Sequence, residues 1–207
     1  AVRAVEAANQ AGCVHAVDCD LKSFFDTVSH DRLTNLLARR ITDQRVLQLI
    51  GRYLRAGVML PDGQREATTQ GVLQGGPLSP LLSNVVLTEL DRKLEERGHR
   101  FVRYADDCNI YVKSQRAGER VMASLRRFIT DRLKLKVNEA KSAVDVPQKR
   151  KFLGFTFTGG RSANRRKIAL ESLRRFKARI RQLTRRNWSI SMEQRVWRLR
   201  TYLIGWR

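Results

Sequence analysis

Phe101-Val102-Arg103-Tyr104-Ala105-Asp106-Asp107-Cys108-Asn109-Ile110-Tyr111-Val112 is an apolar run broken by two adjacent aspartates. Aromatic and β-branched residues on both sides predict two strands, with Asp106-Asp107 at the tight connection between them. Two neighbouring carboxylates repel each other, and a strand interior does not select them. A solvated acidic turn accounts for the pair by itself. A divalent cation accounts for it too, by removing the repulsion. What the rest of the chain brings to this tip decides between the two.

Upstream, a helix is predicted from about Pro80 to Arg97, with Leu82, Val86, Leu90 and Leu94 spaced by fours and Gly98 as its stop. Before it lies Gly71-Val72-Leu73-Gln74-Gly75-Gly76-Pro77-Leu78-Ser79-Pro80. Its paired glycines and prolines, threaded with apolar residues, read as a shaped loop and not as a linker. Pro61-Asp62-Gly63 predicts an exposed hairpin. A helix from about Asp43 to Ala56 buries Val46, Leu47, Ile50, Tyr53 and Leu54 and ends at Gly57. Ser29 caps another helix, with Leu33, Leu36, Leu37 and Ile41 as its stripe. Val14 to Leu21 reads as a strand that places Asp18 and Asp20 on one face, and residues 1–12 as the end of a helix closing at Gly12.

Downstream, Ala117 to Lys134 is an amphipathic helix with Val121, Leu125, Phe128 and Ile129 inward. A short extended piece (Leu135 to Val137) and a turn (Asn138 to Lys141) follow. Phe152 to Phe157 reads as a strand, turned at Gly159-Gly160 toward a partner at Lys167 to Leu170. The tail is helical, with one stripe of Leu170, Leu173, Phe176, Ile180 and Leu183 and a second of Met192, Val196, Leu199, Leu203 and Trp206, the latter after a Ser191 capping box. This order predicts an α+β fold, a small antiparallel sheet with helices on one face. Asp20, at the end of the first strand, then lies beside the hairpin tip.

The 207 residues carry 41 Lys/Arg against 20 Asp/Glu, a net charge of +21. A polyanion is the expected partner, nucleic acid before membrane. The longest apolar runs are too short to span a bilayer, and no membrane partner is expected. Residues 161–207 hold 15 Lys/Arg and only two Glu, so most of the excess charge lies in the tail. Cys13, Cys19 and Cys108 are scattered and lack ligand spacing, which suits a reducing compartment. His15, His30 and His99 show no ligand spacing either. The chain opens at Ala1 without a start Met or signal peptide and reads as part of a longer protein.

Three carboxylates at two strand ends suit hard divalent cations. Paired Mg²⁺ ions are the general device for in-line phosphoryl transfer. With this charge the phosphate is expected on a nucleic acid, and spacing alone leaves polymerase and nuclease both open.

Tyr104-Ala105-Asp106-Asp107 resembles the Tyr-x-Asp-Asp box of reverse transcriptases. Asp20-Leu21-Lys22-Ser23-Phe24-Phe25-Asp26 resembles that family's first palm motif. Gln74-Gly75-Gly76-Pro77-Leu78-Ser79-Pro80 is similar to the loop-to-helix motif of bacterial group II intron reverse transcriptases (maturases). Phe152-Leu153-Gly154-Phe155 resembles their primer-grip hairpin, and Arg185-Arg186-Asn187-Trp188-Ser189 the start of their thumb, or X, domain. The resemblance implies a palm with a remnant of fingers over 1–160 and the truncated start of a basic helical thumb over 161–207.

It also implies roles. Asp20 and Asp106 would be the principal ligands of two Mg²⁺ ions, with Mn²⁺ as a substitute, and Asp107 a weaker third. Backbone amides of Leu21, Lys22, Ser23, Phe24 and Phe25 would hold the triphosphate. Phe25 would exclude a 2′-hydroxyl and so select dNTPs. Gln74 would contact the nascent base pair or the dNTP, and Lys141 would sit near the phosphates. Phe152, Leu153, Gly154 and Phe155 would position the primer end. Arg174, Arg175, Lys177, Arg181, Arg185 and Arg186 would contact nucleic acid. The implied activity is RNA-directed DNA polymerisation with RNA template, DNA primer and dNTP, joined to a splicing role on group II intron RNA in the bacterial cytoplasm. Two alternatives remain: an RNA-binding splicing cofactor without polymerase activity, and a reverse transcriptase of a CRISPR or defence system. The chain departs from the family in having Leu73 where Pro usually precedes the loop Gln, and in carrying little of the fingers.

Overall fold

The computed structural model describes residues 1–59, 65–66, 68–158 and 165–206. The expected turns at Pro61-Asp62-Gly63 and Gly159-Gly160 lie outside the described residues. The chain divides into two compact units, Ala1–Arg150 and Lys151–Arg207. The charge step at 161 therefore falls inside the second unit.

In the first unit α1 (Val2–Gln10) precedes β1 (His15–Cys19), a single turn α2 (Phe24–Thr27), α3 (His30–Ala38) and α4 (Gln44–Arg55). A two-stranded ribbon of β2 (Val58–Met59) and β3 (Arg65–Glu66) follows, then α5 (Ser79–Glu96), β4 (Arg100–Tyr104) and β5 (Asp107–Val112). Next come α6 (Gln115–Arg127), which continues as a π-helical stretch Phe128–Leu133, and β6 (Ala143–Asp145). Helix starts obey their caps: the Ser29, Asp43 and Ser114 side chains each accept a backbone N–H of the first turn.

The sheet order is β4-β5-β1-β6, antiparallel throughout. β1 and β5 are thus its centre, with Val17 opposite Ile110 and Cys19 opposite Cys108. Alternation puts Val17, Cys19, Cys108, Ile110 and Val112 on the face covered by helices. That core includes Leu33, Leu82, Val86, Leu90, Leu94, Leu125 and Ile129, so the fours-spaced stripe of α5 is buried as the sequence predicts. α6 rests on the sheet through Gly118, where a β-carbon would strike Val144 and crowd Val112 and Val17. The short α1 is set apart from these helices: it lies against β4 and β5, and the buried Ala16, Val102 and Tyr111 stand on the face opposite the main core.

Two details differ from expectation. β6 was not foreseen, because Ala143-Val144-Asp145 is too short to show alternation; it becomes a strand by pairing with Ala16, Val17 and Asp18. On α4, Val46 is exposed and Gly51 is buried between Leu47 and Leu54, so the packed stripe is narrower than predicted.

In the second unit β7 (Phe155–Phe157) pairs with β8 (Arg166–Ile168), ahead of α7 (Leu170–Leu183) and α8 (Met192–Trp206). The predicted strand from Phe152 begins only at Phe155. Phe152 and Phe155 exchange backbone hydrogen bonds at 2.9 and 3.0 Å across Leu153 and Gly154, both at positive φ (51° and 82°). This is a two-residue primed turn, hidden in the sequence because Leu rarely takes a left-handed conformation. The second predicted tail stripe is also corrected: Met192, Val196 and Leu203 are exposed. α8 instead holds α7 through aromatic contacts, Phe176 to Trp206 at 4.4 Å and to Tyr202 at 5.9 Å. Leu170, expected in the first stripe, is exposed as well. Ser191 caps α8 by accepting the Gln194 N–H at 3.2 Å. Among the described residues no helix is long and apolar enough to cross a membrane.

Candidate active site

Asp20 sits one residue past the end of β1, where the ladder no longer fixes the chain. The segment 136–142 fixes it instead. The Asn138 N–H donates to the Asp20 carbonyl (2.8 Å), the Asp20 N–H donates to Ser142 Oγ (3.0 Å), and the Lys22 N–H donates to the Lys136 carbonyl (2.8 Å). Ser142 is buried, so its loss leaves the Asp20 amide without a partner. Ser142→Ala is expected to cost about 1–3 kcal/mol in urea unfolding, and Ser142→Thr, which keeps the hydroxyl, clearly less.

Asp106 reaches the same place from the other central strand. β4 ends at Tyr104 and β5 begins at Asp107, so the connection is Ala105-Asp106, with Ala105 in the left-handed region at φ 54°. The tip splits the two carboxylates. Asp106 is half-buried and lines a cleft of about 310 Å³, whereas Asp107 is exposed, paired across the hairpin with Tyr104, and does not line it. The cleft is also lined by Asp20, Leu21, Lys22, Ser23, Phe24, Phe25, Gln74 and Lys141. Residues from three separate sequence motifs and from the Asn138–Lys141 turn thus converge on one hollow.

Among the described residues no three acidic, histidine or cysteine side chains gather closely enough to hold an ion. Asp26 lines the cleft as a third carboxylate, but two are enough for Mg²⁺, because that ion is usually held by one or two carboxylates together with substrate phosphates and water. Asp20 and Asp106 would be those ligands. Lys141 Nζ stands 4.0 Å from Asp20 Oδ2, but its side chain is 72% exposed, so this pair contributes little to stability and is free to serve a bound anion.

Asp18, two residues before Asp20, is an acidic neighbour that the sequence placed on the same face without giving it a task. Burial pushes its carboxyl up to about 6, Arg150 at 3.7 Å pulls it back down, and the charges of Asp107 and Asp20 raise it further. Beneath the carboxylates the Cys19 and Cys108 thiols are free and buried. Burial pushes Cys19 up to about 12 and Cys108 in the same direction. Both are therefore inert packing groups.

The motif around Phe25 is not extended. Ser23 turns left-handed (φ 47°) and starts α2, which sends Phe24 into the core and leaves Phe25 half-buried at the cleft, their rings edge-to-face at 5.5 Å. The Lys22 amide is already engaged by the Lys136 carbonyl, which withdraws it from the predicted triphosphate donors. Gln74 is exposed on a loop folded against α5: the Ser79 hydroxyl donates to the Leu73 carbonyl, and so does the Gly76 N–H (3.0 Å). Sequence reasoning missed His30. It is buried, and its Nε2 donates to the Gly71 carbonyl at 2.7 Å, tying the loop to α3.

Phe152 is buried, while Leu153, Gly154 and Phe155 line a groove with Arg175, Tyr202 and Trp206. Arg174, Lys177 and Arg181 are exposed along α7. Arg185 and Arg186 line a separate hollow with Arg179, Asn187, Trp188 and Arg198, the last lying 5.1 Å over the Trp188 ring.

The family model described as reverse transcriptase (RNA-dependent DNA polymerase) matches residues 2–157. The chain is 31% identical to Protein YkfC of Escherichia coli K12, covering 89% of this chain and 55% of that one. It is 27% identical to the group II intron-encoded protein LtrA of Lactococcus lactis, over 70% of this chain and 35% of LtrA. Among solved structures, telomerase from Candida albicans superposes with a TM-score of 0.65 at 13% identity, over 94% of this chain and 40% of that one; at that identity the likeness is one of fold. The chain thus spans about half the length of the first of these relatives and about a third of the second.

Proposed function

The chain belongs to the reverse transcriptase (RNA-dependent DNA polymerase) family, and on that premise we propose that it carries the palm of an RNA-directed DNA polymerase encoded by a group II intron. The observation that supports this most is the single cleft that gathers Asp20, Asp106, Phe25, Gln74 and Lys141. Two Mg²⁺ ions held by Asp20 and Asp106 would lower the pKa of the primer 3′-hydroxyl and neutralise charge on the phosphates. The protein does the rest by placement. Backbone amides from Ser23 onward and the Lys141 ammonium face the triphosphate. Gln74 meets the base, and Phe25 lies under the sugar. The tail cations and the arginine-lined hollow of the second unit suit an RNA partner, which we take to be the intron RNA as well as the template.

The test is primer extension on an RNA template with Mg²⁺ and dNTPs, with Asp106→Ala in parallel. Extension that the variant loses supports the reading. Extension undiminished in the variant overturns it. If neither protein extends but both bind RNA with an affinity that falls steeply with salt, the splicing-cofactor reading replaces it. Phe25→Ala gives a second check. Removing a ring that blocks the 2′-hydroxyl relieves a clash of about 1–3 kcal/mol, so use of rNTPs relative to dNTPs is expected to rise roughly ten- to a hundredfold. An unchanged ratio removes Phe25 from this role.

A further inference from the structure

The Asp106 turn has no ladder of its own. Strand pairing ends at Tyr104 and Asp107, and Ala105 holds a left-handed conformation that an alanine does not choose unaided. Arg103 provides what the ladder does not. It stands opposite Cys108 on the helix-covered face, and its guanidinium makes four hydrogen bonds. Nε and Nη2 donate to Asp91 Oδ1 (2.7 Å) and Oδ2 (2.5 Å), and Nη1 donates to Asn84 Oδ1 (2.9 Å) and to the Ala105 carbonyl (2.8 Å). The Arg103 and Asp91 side chains are only 12% and 22% exposed, so solvent screens this fork weakly.

Both side-chain acceptors are on α5. Asn84 and Asp91 are seven residues apart, hence on one flank of the helix. The N-terminal end of the same helix carries the Gln74 loop, which Ser79 and the Gly76 amide bind back to Leu73. One guanidinium therefore connects two cleft residues that are distant in sequence: Gln74, which moves with α5, and Asp106, which follows Ala105.

Resting on the reverse-transcriptase reading above, we propose that Arg103 is a positioning residue for nucleotide addition: it locks the Asp106 turn to α5, so that the carboxylate and the nucleotide-facing loop keep one register. Lys at this position keeps the charge but cannot form the planar fork. The Ala105 carbonyl is then released, and Asp106 loses its fixed approach to Asp20.

The experiment titrates Mn²⁺ into the chain, with electron paramagnetic resonance detecting free ion, and records thermal melting of the same samples. Wild type, Arg103→Lys, Asn84→Ala and Asp106→Ala are compared. Because the lost hydrogen bonds are made by a charged group, Arg103→Lys is expected to weaken Mn²⁺ binding roughly tenfold or more. Asn84→Ala, which leaves the Asp91 fork in place, is expected to weaken it less. In primer extension the loss falls on kcat, with KM for primer–template kept. Mn²⁺ binding by Arg103→Lys equal to wild type, whatever its melting temperature, reduces Arg103 to a structural ion pair and overturns the inference. Wild type that binds no more Mn²⁺ than Asp106→Ala overturns the metal reading itself, and the inference with it.

Discussion

Asp106→Ala is expected to slow nucleotide addition by at least about a thousandfold while the protein stays folded. The size follows from what the side chain supplies. Charge stabilisation by a bound metal contributes several kcal/mol to a phosphoryl-transfer transition state, and each 1.36 kcal/mol is about tenfold in rate. Asp106 is one of two predicted ligands that line the cleft, so its loss leaves Asp20 as the remaining one. Stability is expected to move little, because Asp106 lies in a turn outside the buried core. The structure adds a contrast that the Asp-Asp motif alone does not give. Asp107 is exposed and faces Tyr104 across the hairpin, so Asp107→Ala is expected to cost far less. Single-turnover primer extension, with melting curves for each variant, checks both. Equal losses from the two aspartates would show that the cleft forms differently when substrate is bound.

What was legible in the sequence was what short-range pattern controls. The α5 stripe, the Ser29 cap and the β4–β5 hairpin follow from spacing and turn chemistry, and they lie where those rules put them. The Asp20–Asp106 pairing needed only the step that β1 and β5 are neighbours, which two apolar runs ending in aspartate already suggest. Contacts that depend on the assembled fold were not legible. Ala143 to Asp145 has no pattern of its own and is a strand only because β1 offers an open edge. The Ser142 hold on Asp20 spans 122 residues, and the Arg103 fork joins a strand to a helix; neither has a periodicity to read. The Leu153 turn was missed for the opposite reason. The phenylalanines that flank it are strongly β-prone, and tertiary context overrode the extended reading there.

Gly71→Ala is the second substitution expected to act strongly, and it separates two costs that glycines in this loop could share. Gly71 and Gly75 both have positive φ, 89° and 81°. A non-glycine residue there costs about 1–3 kcal/mol in backbone strain. At Gly75 a β-carbon would meet open space, so that strain is the whole cost. At Gly71 it would lie 3.0 Å from the carbonyl oxygens of both Phe25 and Asp26, which are backbone atoms and cannot swing aside. Three hydrogen bonds hold the region in place: the Gly71 N–H to the Val28 carbonyl (2.7 Å), the Val72 N–H to the Phe25 carbonyl (2.6 Å), and His30 Nε2 to the Gly71 carbonyl (2.7 Å). Relief of the clash must therefore stretch one of these or displace Phe25. An overpacking cost of about 1–3 kcal/mol adds to the strain. Urea unfolding is expected to show Gly71→Ala losing about twice as much stability as Gly75→Ala. Because the clash and one of the three hydrogen bonds both act on the Phe25 carbonyl, sugar selection is expected to relax in Gly71→Ala and to hold in Gly75→Ala. Equal stability losses in the two variants would mean that the Phe25–Asp26 backbone yields freely, and then Phe25 is not held firmly enough at the cleft to discriminate a sugar.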